Sequence, residues 1–175
     1  PLRSLFATRT VILAYIGSGV QFFCAGSLPA WLPTFFGRYY GMPVDQAGHT
    51  AAVLFLISGA GMIICGMTSD WLARHRPTRK IELAIAYCIG SATALSLAMQ
   101  CEPGVAQFAM LAIAIFLVSG TAGPVGAVVA NLTPLAIHGT AFATLTLANN
   151  LLGFAPGPIL TGWVADHLGL LGAFR

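Results

Sequence analysis

The chain has 175 residues, of which 57% are hydrophobic and only 7% are charged, and its mean hydropathy is +0.84. Soluble domains carry about 25% charged residues, and a soluble protein of this length could not cover its surface with so few charges. The net charge is only +3. Nucleic-acid binding requires a folded polar domain with a basic face, and the sequence contains no such domain. The composition therefore excludes a soluble protein and a nucleic-acid partner, and it predicts an all-α membrane protein in contact with lipids.

Five segments are long and apolar enough to be membrane-spanning helices, because a helix needs about 20 apolar residues to cross the hydrocarbon core. These predicted helices cover residues 11–36, 47–67, 81–99, 105–132 and 140–164. Together they predict a single transmembrane domain over residues 1–175. Pro29 and Pro33 predict a kink near the end of the first helix, and Gly120 and Pro124 predict a bend in the middle of the fourth.

The loop at residues 70–80 fixes the predicted orientation. It carries four of the eight basic residues of the chain: Arg74, Arg76, Arg79 and Lys80. Because five helices alternate sides, this loop lies on the same face as Arg3 and Arg9, whereas the opposite face has only Arg38 and Arg175. The positive-inside rule then places the N-terminus and the loop in the cytoplasm. We expect an integral protein of a bacterial inner membrane.

Titratable and nucleophilic groups are sparse in the predicted helices. No Asp, Glu, Lys or Arg lies near the middle of any of them, although an intramembrane proton relay usually needs such a residue. If the protein is proton-coupled, the titrating group lies outside these 175 residues. The chain also has no histidine pair at mid-depth for haem, no Gly-x-Ser-x-Gly, and no cysteine spacing typical of a metal site. The sequence predicts neither an enzyme nor a cofactor or metal site.

Neutral polar residues do fall at mid-depth in four of the five predicted helices. Each of them lies about 16 Å along its helix from the inner end, so that all of them are expected near one plane of the membrane. They are Gln21, Ser58, Ser119, Thr121, Asn149 and Asn150. One interpretation is a shared polar cavity that binds a substrate. The alternative is that each side chain only ties neighbouring helices together, with a bond worth about 0.6 kcal/mol.

A short repeat links the second and fifth predicted helices. Gly66-x-x-x-Asp70-x-Leu72 ends the second, and Gly162-x-x-x-Asp166-x-Leu168 ends the fifth. If helices one to three form one unit, and helices four, five and a missing sixth form the next, then helices two and five are the middle members of the two units. They run in opposite directions, as an inverted repeat requires.

The first motif resembles motif A of the major facilitator superfamily, where a Gly-x-x-x-Asp is followed by a basic cluster in a helix two–three loop. The sequence departs from that motif at Trp71, where a basic residue is usual, and at Ala73, where no glycine follows. By this resemblance, Asp70 faces the N-terminus of a helix in the opposite half. The gating residues would be Gly66, Asp70, Arg74 and Arg76. Alternatively, the basic residues serve only topology and lipid headgroups.

A second motif is similar to the Gly-x-x-x-Gly-Pro-x-x-Gly-Gly pattern of the same superfamily, with Thr161 in place of one glycine. Its matched helix-packing residues are Gly153, Gly157, Pro158 and Gly162. Residues 30–36 resemble the opening of a C-terminal half, and the combination with residues 150–153 looks most like the spinster-type branch.

The resemblance implies helices seven to eleven of a twelve-helix secondary active transporter, a symporter or antiporter that works by alternating access. The implied fold is an incomplete six-helix half. Its partners would be the missing N-terminal half and the last helix of the same transporter, and its substrate a small organic or lipid-like solute. Two alternatives remain open: helices one to five of an N-terminal half, and a non-transporting membrane subunit or assembly protein built on a truncated transporter fold.

Overall fold

The computed structural model describes residues 9–74 and 79–174. It is 90% helical, and no strand occurs within the described ranges. We number the α-helices in chain order. They are α1 (Arg9–Tyr39), α2 (Val44–Ala73), α3 (Arg79–Ala98), α4 (Val105–Ser119), α5 (Ala122–Leu132), α6 (His138–Asn149) and α7 (Pro156–Phe174).

Four helical segments are long and apolar enough to cross a membrane: Arg9–Tyr39, Val44–Ala73, Arg79–Ala98 and Val105–Leu132. Their lengths of 31, 30, 20 and 28 residues meet or exceed the about 20 that a bilayer requires. The protein is therefore an all-α integral membrane protein. We call Val105–Leu132, which comprises α4 and α5, the fourth span, and the stretch from α6 to α7 the fifth span.

The fourth span is interrupted where the sequence predicted a bend. α4 ends at Ser119, α5 begins at Ala122, and the backbone N–H of Gly120 bonds to Leu117 O at 3.1 Å in place of a regular helical bond. Thr121 stabilises the break by donating its hydroxyl proton to Val118 O at 2.8 Å. The break places two hydroxyl residues at the middle of the span.

The fifth span is also interrupted at its middle. One turn of π-helix, Asn150–Phe154, joins α6 to α7, so that the span consists of a 12-residue and a 19-residue helix. The fifth span is not among the four apolar segments named above. Gly169 has a φ of +77° inside α7 and bends the chain just after Leu168. By contrast, α1 continues through Pro29 and Pro33 to Tyr39.

Two pairs of spans run parallel and in close contact. α1 packs along the fifth span, and α2 packs along the fourth. In the first pair Tyr15 meets Ala141, Gly19 meets Leu152 and Trp31 meets Pro158; in the second Gly61 meets Phe116, Cys65 meets Gly120 and Gly66 meets Gly123. Within each pair the contacts advance along both helices in the same direction. This is expected of the first and fifth spans, and of the second and fourth, because alternate spans cross the membrane in the same direction.

The apolar core is divided into two clusters. The larger one holds the C-terminal half of α1 and the N-terminal ends of α2 and α4, centred on Phe35, Phe36 and Leu54. The smaller one joins the N-terminal end of α1 to α5 and α6, around Val11 and Val129. The middle of the bundle belongs to neither cluster, and four polar side chains predicted at mid-depth lie there: Gln21, Ser58, Ser119 and Thr121.

Gln107 braces the turn between α3 and α4. Its side chain is 1% exposed, and its Nε2 donates to Ala98 O at 2.9 Å and to Cys101 O at 3.2 Å. Ala98 is the last residue of α3 and Cys101 lies in the turn that follows it, where the regular helical bonds to carbonyl groups have ended; the backbone N–H of Cys101 also donates to Ala98 O at 3.3 Å. No motif in the sequence points to Gln107.

We expect Gln107→Leu to lower the free energy of unfolding by about 1–3 kcal/mol, because Cys101 O loses its side-chain donor and Ala98 O keeps only the longer bond from the backbone N–H of Cys101. The change is measured as a shift of the unfolding midpoint of the detergent-solubilised protein. Gln100→Leu is the control, since Gln100 is exposed and its side chain donates to Ser96 O, one turn before it. Equal shifts for the two variants would contradict this role of Gln107.

Candidate functional site

A cavity of about 250 Å³ lies between the two apolar clusters, where α1, α2, the fourth span and the π turn meet. We call it the midplane pocket. Its polar lining comes from Gln21, Ser58, Ser119 and Thr121. The rest of the wall is largely apolar and includes Phe22, Phe55 and Phe154. Four of the six residues that the sequence analysis selected by depth therefore share one pocket.

The three hydroxyl groups of the midplane pocket form an ordered set. Ser58 Oγ and Ser119 Oγ are 2.7 Å apart, and Ser119 also donates to Ile115 O at 2.9 Å. Because Ser119 has one proton, Ser58 is the donor of the bond between them. Thr121 donates to Val118 O. All three hydroxyl protons are therefore engaged within the protein, and the oxygens remain available as acceptors.

Gln21 differs from the hydroxyl residues, since its amide offers free protons. Its Oε1 accepts a hydrogen bond from Cys88 Sγ of α3 at 3.6 Å. Within residues 9–74 and 79–174, no group accepts from its Nε2. Gln21 also lines two neighbouring cavities: one of about 400 Å³ between α1, α3 and α5, and one of about 200 Å³ between α1, α3 and α4.

The two asparagines are not part of the lining of these three cavities. Asn150 is exposed and donates its Nδ2 proton to Thr146 O at 2.8 Å. Asn149 has a buried Oδ1 that lacks a hydrogen-bond partner in the described part of the chain. Asn149 precedes the π turn of the fifth span and Asn150 is its first residue, whereas Phe154, which lines the pocket, is its last.

The four residues of the second predicted motif are located at the contact between the fifth span and α1. A Cβ atom on Gly153 would lie 2.5 Å from Gly19 O, and one on Gly157 would lie 2.8 Å from Phe23 O. Trp31 Nε1 donates to Pro158 O at 3.0 Å. The same indole ring would meet a Cβ on Gly162 at 2.6 Å. Glycine is thus required for the close approach of these helices.

The residues of the motif A-like stretch lie at the end of α2. Gly66 has open space around it apart from Gly123, Arg74 is exposed, and Arg76 lies outside the described residues. Asp70 accepts a hydrogen bond from Lys80 Nζ at 2.7 Å, which forms an ion pair between α2 and α3. Lys80 is not among the predicted gating residues, and this pair links it to Asp70.

We expect both Asp70→Asn and Lys80→Ala to change the free energy of unfolding by less than about 1 kcal/mol. The Asp70 side chain is 73% exposed, so water and salt screen the pair. Chemical denaturation at low and high salt measures the effect. If Asp70 also contacts an opposite half, Asp70→Asn will reduce transport by the full-length protein more than Lys80→Ala does. Equal transport by the two variants would contradict that second role of Asp70.

Three contacts of the site could not be found from sequence spacing: Cys88 with Gln21, Lys80 with Asp70, and Trp31 with Pro158. Each joins residues that are remote in the chain and whose meeting depends on how the helices are rotated about their axes. The one available signal was that Cys88 and Gln21 lie at similar distances from the predicted inner ends of their helices.

The fold and the pocket define the class: an integral membrane protein with a small, largely apolar cavity between its spans, to which four neutral polar side chains contribute. No family model matches the sequence. Three curated bacterial proteins, all named as transporters, are similar to it over nearly its whole length.

These relatives are as follows. "Uncharacterized transporter YybO" of Bacillus subtilis (strain 168) is 31% identical over 176 residues, which cover 96% of this chain and 39% of the relative. The "Probable L-galactonate transporter" of Escherichia coli (strain K12) is 28% identical over 171 residues, 94% of this chain and 37% of the relative. The "Probable galactarate/D-glucarate transporter GudP" of the same organism is 24% identical over 176 residues, 96% and 37% respectively. The chain thus spans less than half the length of the relatives it matches.

Proposed function

We propose that the chain forms helices seven to eleven of a major facilitator-type secondary active transporter that works by alternating access. The observation that carries the proposal is the midplane pocket, to which three spans contribute neutral polar side chains at one depth. The names of the three relatives support the transporter class. The degenerate motif A at Trp71 and Ala73 favours the C-terminal half over the N-terminal one.

The packing of the spans supports the inverted repeat that such a half contains. In such a repeat the first span corresponds to the fourth, and the second span to the fifth. The pair formed by α1 and the fifth span therefore corresponds to the pair formed by the fourth span and α2. Both pairs are parallel and both depend on glycine: Gly19 and Gly153 in one, Gly61 and Gly120 in the other. The same symmetry relates Asp70 to Asp166, each exposed near the end of its span.

The solute we propose is a small polyhydroxylated carboxylate. Two relatives are named for transport of L-galactonate and of galactarate or D-glucarate. The hydroxyl oxygens of Ser58, Ser119 and Thr121 can accept bonds from solute hydroxyls. A pocket of about 250 Å³ is at the small end for a ligand site, which fits a cavity that a second half completes. The exposed amide of Asn150 is then a candidate for the wall that faces this half.

The second candidate solute is an amphiphile, as the spinster-type resemblance implies. The cavity of about 400 Å³ between α1, α3 and α5 favours it, because its wall is largely aliphatic, including Leu13, Ile85 and Ile89. Lys80 lies at one end of this wall and could meet an anionic headgroup. We further propose a bacterial inner membrane, with the N-terminus of the chain and the basic segment at residues 70–80, which includes the end of α2 and the start of α3, in the cytoplasm.

The proposal is tested by counterflow with the purified full-length protein in proteoliposomes. Vesicles loaded with unlabelled galactarate are expected to accumulate labelled galactarate transiently, and vesicles without protein are not. Exchange that occurs only with a long-chain amphiphile would favour the second candidate solute. A folded full-length protein that exchanges neither solute would overturn the proposed transport function, as would a natural gene that ends at both termini of this chain.

A further inference from the structure

The polar groups of the midplane pocket differ in what they can offer a solute. The protons of Ser58, Ser119 and Thr121 are engaged on Ser119 Oγ, Ile115 O and Val118 O respectively. Among these four polar side chains, only Gln21 has protons without an acceptor in the described part of the chain. An acceptor group on a solute, such as a carboxylate oxygen, therefore has one side-chain donor to meet in this wall of the pocket.

The orientation of the Gln21 amide is set from outside the pocket. Cys88 belongs to α3, which contributes no residue to the midplane pocket. Its thiol donates to Gln21 Oε1 at 3.6 Å and so holds the carbonyl end of the amide towards α3. The two ends of an amide group diverge from the same carbon, so the Nε2 protons are directed away from Cys88. A thiol is a weak donor, and its bond is the one hydrogen bond found for the Gln21 amide among the described residues.

We propose that Gln21 recognises a carboxylate oxygen of the solute through its Nε2 protons, and that Cys88 is a positioning residue that presents this donor. The inference rests on the proposed transport function for the identity of the solute, but not for the contact between Cys88 and Gln21. A bond from an amide proton to a carboxylate is charge-assisted and stronger than one between neutral groups. Gln21 would therefore favour the acid over the corresponding alcohol, while the hydroxyl set accepts from solute hydroxyls.

Transport kinetics test the recognition by Gln21. In the full-length protein, Gln21→Glu replaces the donor by an acceptor of nearly the same shape, and we expect the KM for galactarate to rise at least about tenfold. The wild-type protein is expected to prefer galactarate to galactitol, which has no carboxylate, and Gln21→Glu is expected to lose this preference. An unchanged KM and an unchanged preference would overturn the role of Gln21.

The role of Cys88 is tested by two substitutions at this position, one that removes the donor and one that keeps it, and by a control substitution at Cys24. Cys88→Ala should raise the KM for galactarate about fivefold, because the Gln21 side chain must then be ordered when the solute binds. The maximal rate should stay unchanged. Cys88→Ser retains a donor and should restore KM. Cys24→Ala is the control, because Cys24 shares a cavity with Cys88 and no bond to Gln21 is found for it among the described residues. Failure of serine to rescue, or an equal effect of Cys24→Ala, would overturn the positioning role.

A spectroscopic measurement separates this inference from the transport proposal. The infrared S–H stretching band of Cys88, identified as the band that Cys88→Ala removes, is expected at the frequency of a hydrogen-bonded thiol. Gln21→Leu should shift it towards that of a free thiol. An unshifted band would overturn the contact, whether or not the protein transports galactarate. Absence of exchange by the wild-type protein would instead count against the proposed function alone.

Discussion

Gly61→Val is expected to prevent α2 from packing against the fourth span and to leave little folded protein. A Cβ atom on Gly61 would lie 2.9 Å from Phe116 Cα and still closer to Phe116 O. These are backbone atoms of α4, so no side-chain rotation can relieve the overlap, and the helices must separate. Separation would also break the Ser58–Ser119 hydrogen bond. We expect a loss of about 3 kcal/mol or more in the free energy of unfolding.

The measurement is the fraction of monodisperse protein after extraction in a mild detergent, together with its unfolding midpoint. Gly59→Val provides the matched control. It places the same β-branched residue two positions away on the same helix, where a Cβ meets nothing within 4 Å. The control should stay within about 1 kcal/mol of the wild type, which is the range of helix propensity effects. If the two variants lose equal stability, the close packing of α2 on the fourth span is wrong.

Ser58→Leu is expected to abolish transport by the full-length protein while leaving it folded. The side chain of Ser58 lines the midplane pocket, whose volume is only about 250 Å³. A leucine at this position would occupy space that a solute needs. Stability should change little, because Ser58 is only partly buried and the new side chain enters a cavity that is already largely apolar.

Ser58→Ala separates obstruction from the loss of the hydrogen bond to Ser119. The bond between two neutral hydroxyls is worth about 1 kcal/mol, so alanine should reduce the transport rate by a few fold at most. Initial rates of counterflow measure both variants, after their amounts in the vesicles have been matched. Full transport by Ser58→Leu would show that the solute does not pass through the midplane pocket, and loss of transport in both variants would indicate that the hydrogen bond matters more than the space.

The sequence predicted those features that depend on composition and on position along each helix. The low charge and the apolar segments of about 20 residues predicted an all-α membrane fold, which the four apolar helical segments confirm. Gly120 and Pro124 predicted the interruption of the fourth span, because glycine and proline weaken the helical hydrogen-bond ladder there. Counting residues from the helix ends placed Gln21, Ser58, Ser119 and Thr121 at one depth, and the structure brings these four together.

Rotation of each helix about its axis could not be predicted in the same way. Asn150 has the right depth, yet it lies on the exposed side of the fifth span, beyond the reach of the pocket. The π turn adds a residue to that span and changes which side chains face α1. The periodicity of apolar residues does not predict this rotation in membrane helices, because the face towards lipid and the face towards other helices are both apolar. The partners of Gln21 and Asp70 were missed for this reason.

The claim that the midplane pocket binds the solute is tested most directly by protection of a thiol placed in it. In the full-length protein, Ser58→Cys is treated with a small thiol reagent, with and without saturating galactarate, and modification is followed by mass spectrometry of the peptides. Cys101, in the turn between α3 and α4, serves as the internal control. We predict that galactarate slows modification at position 58 and leaves Cys101 unaffected. Equal rates at position 58 with and without galactarate, in a protein that exchanges galactarate, would contradict the assignment of the pocket as the solute site.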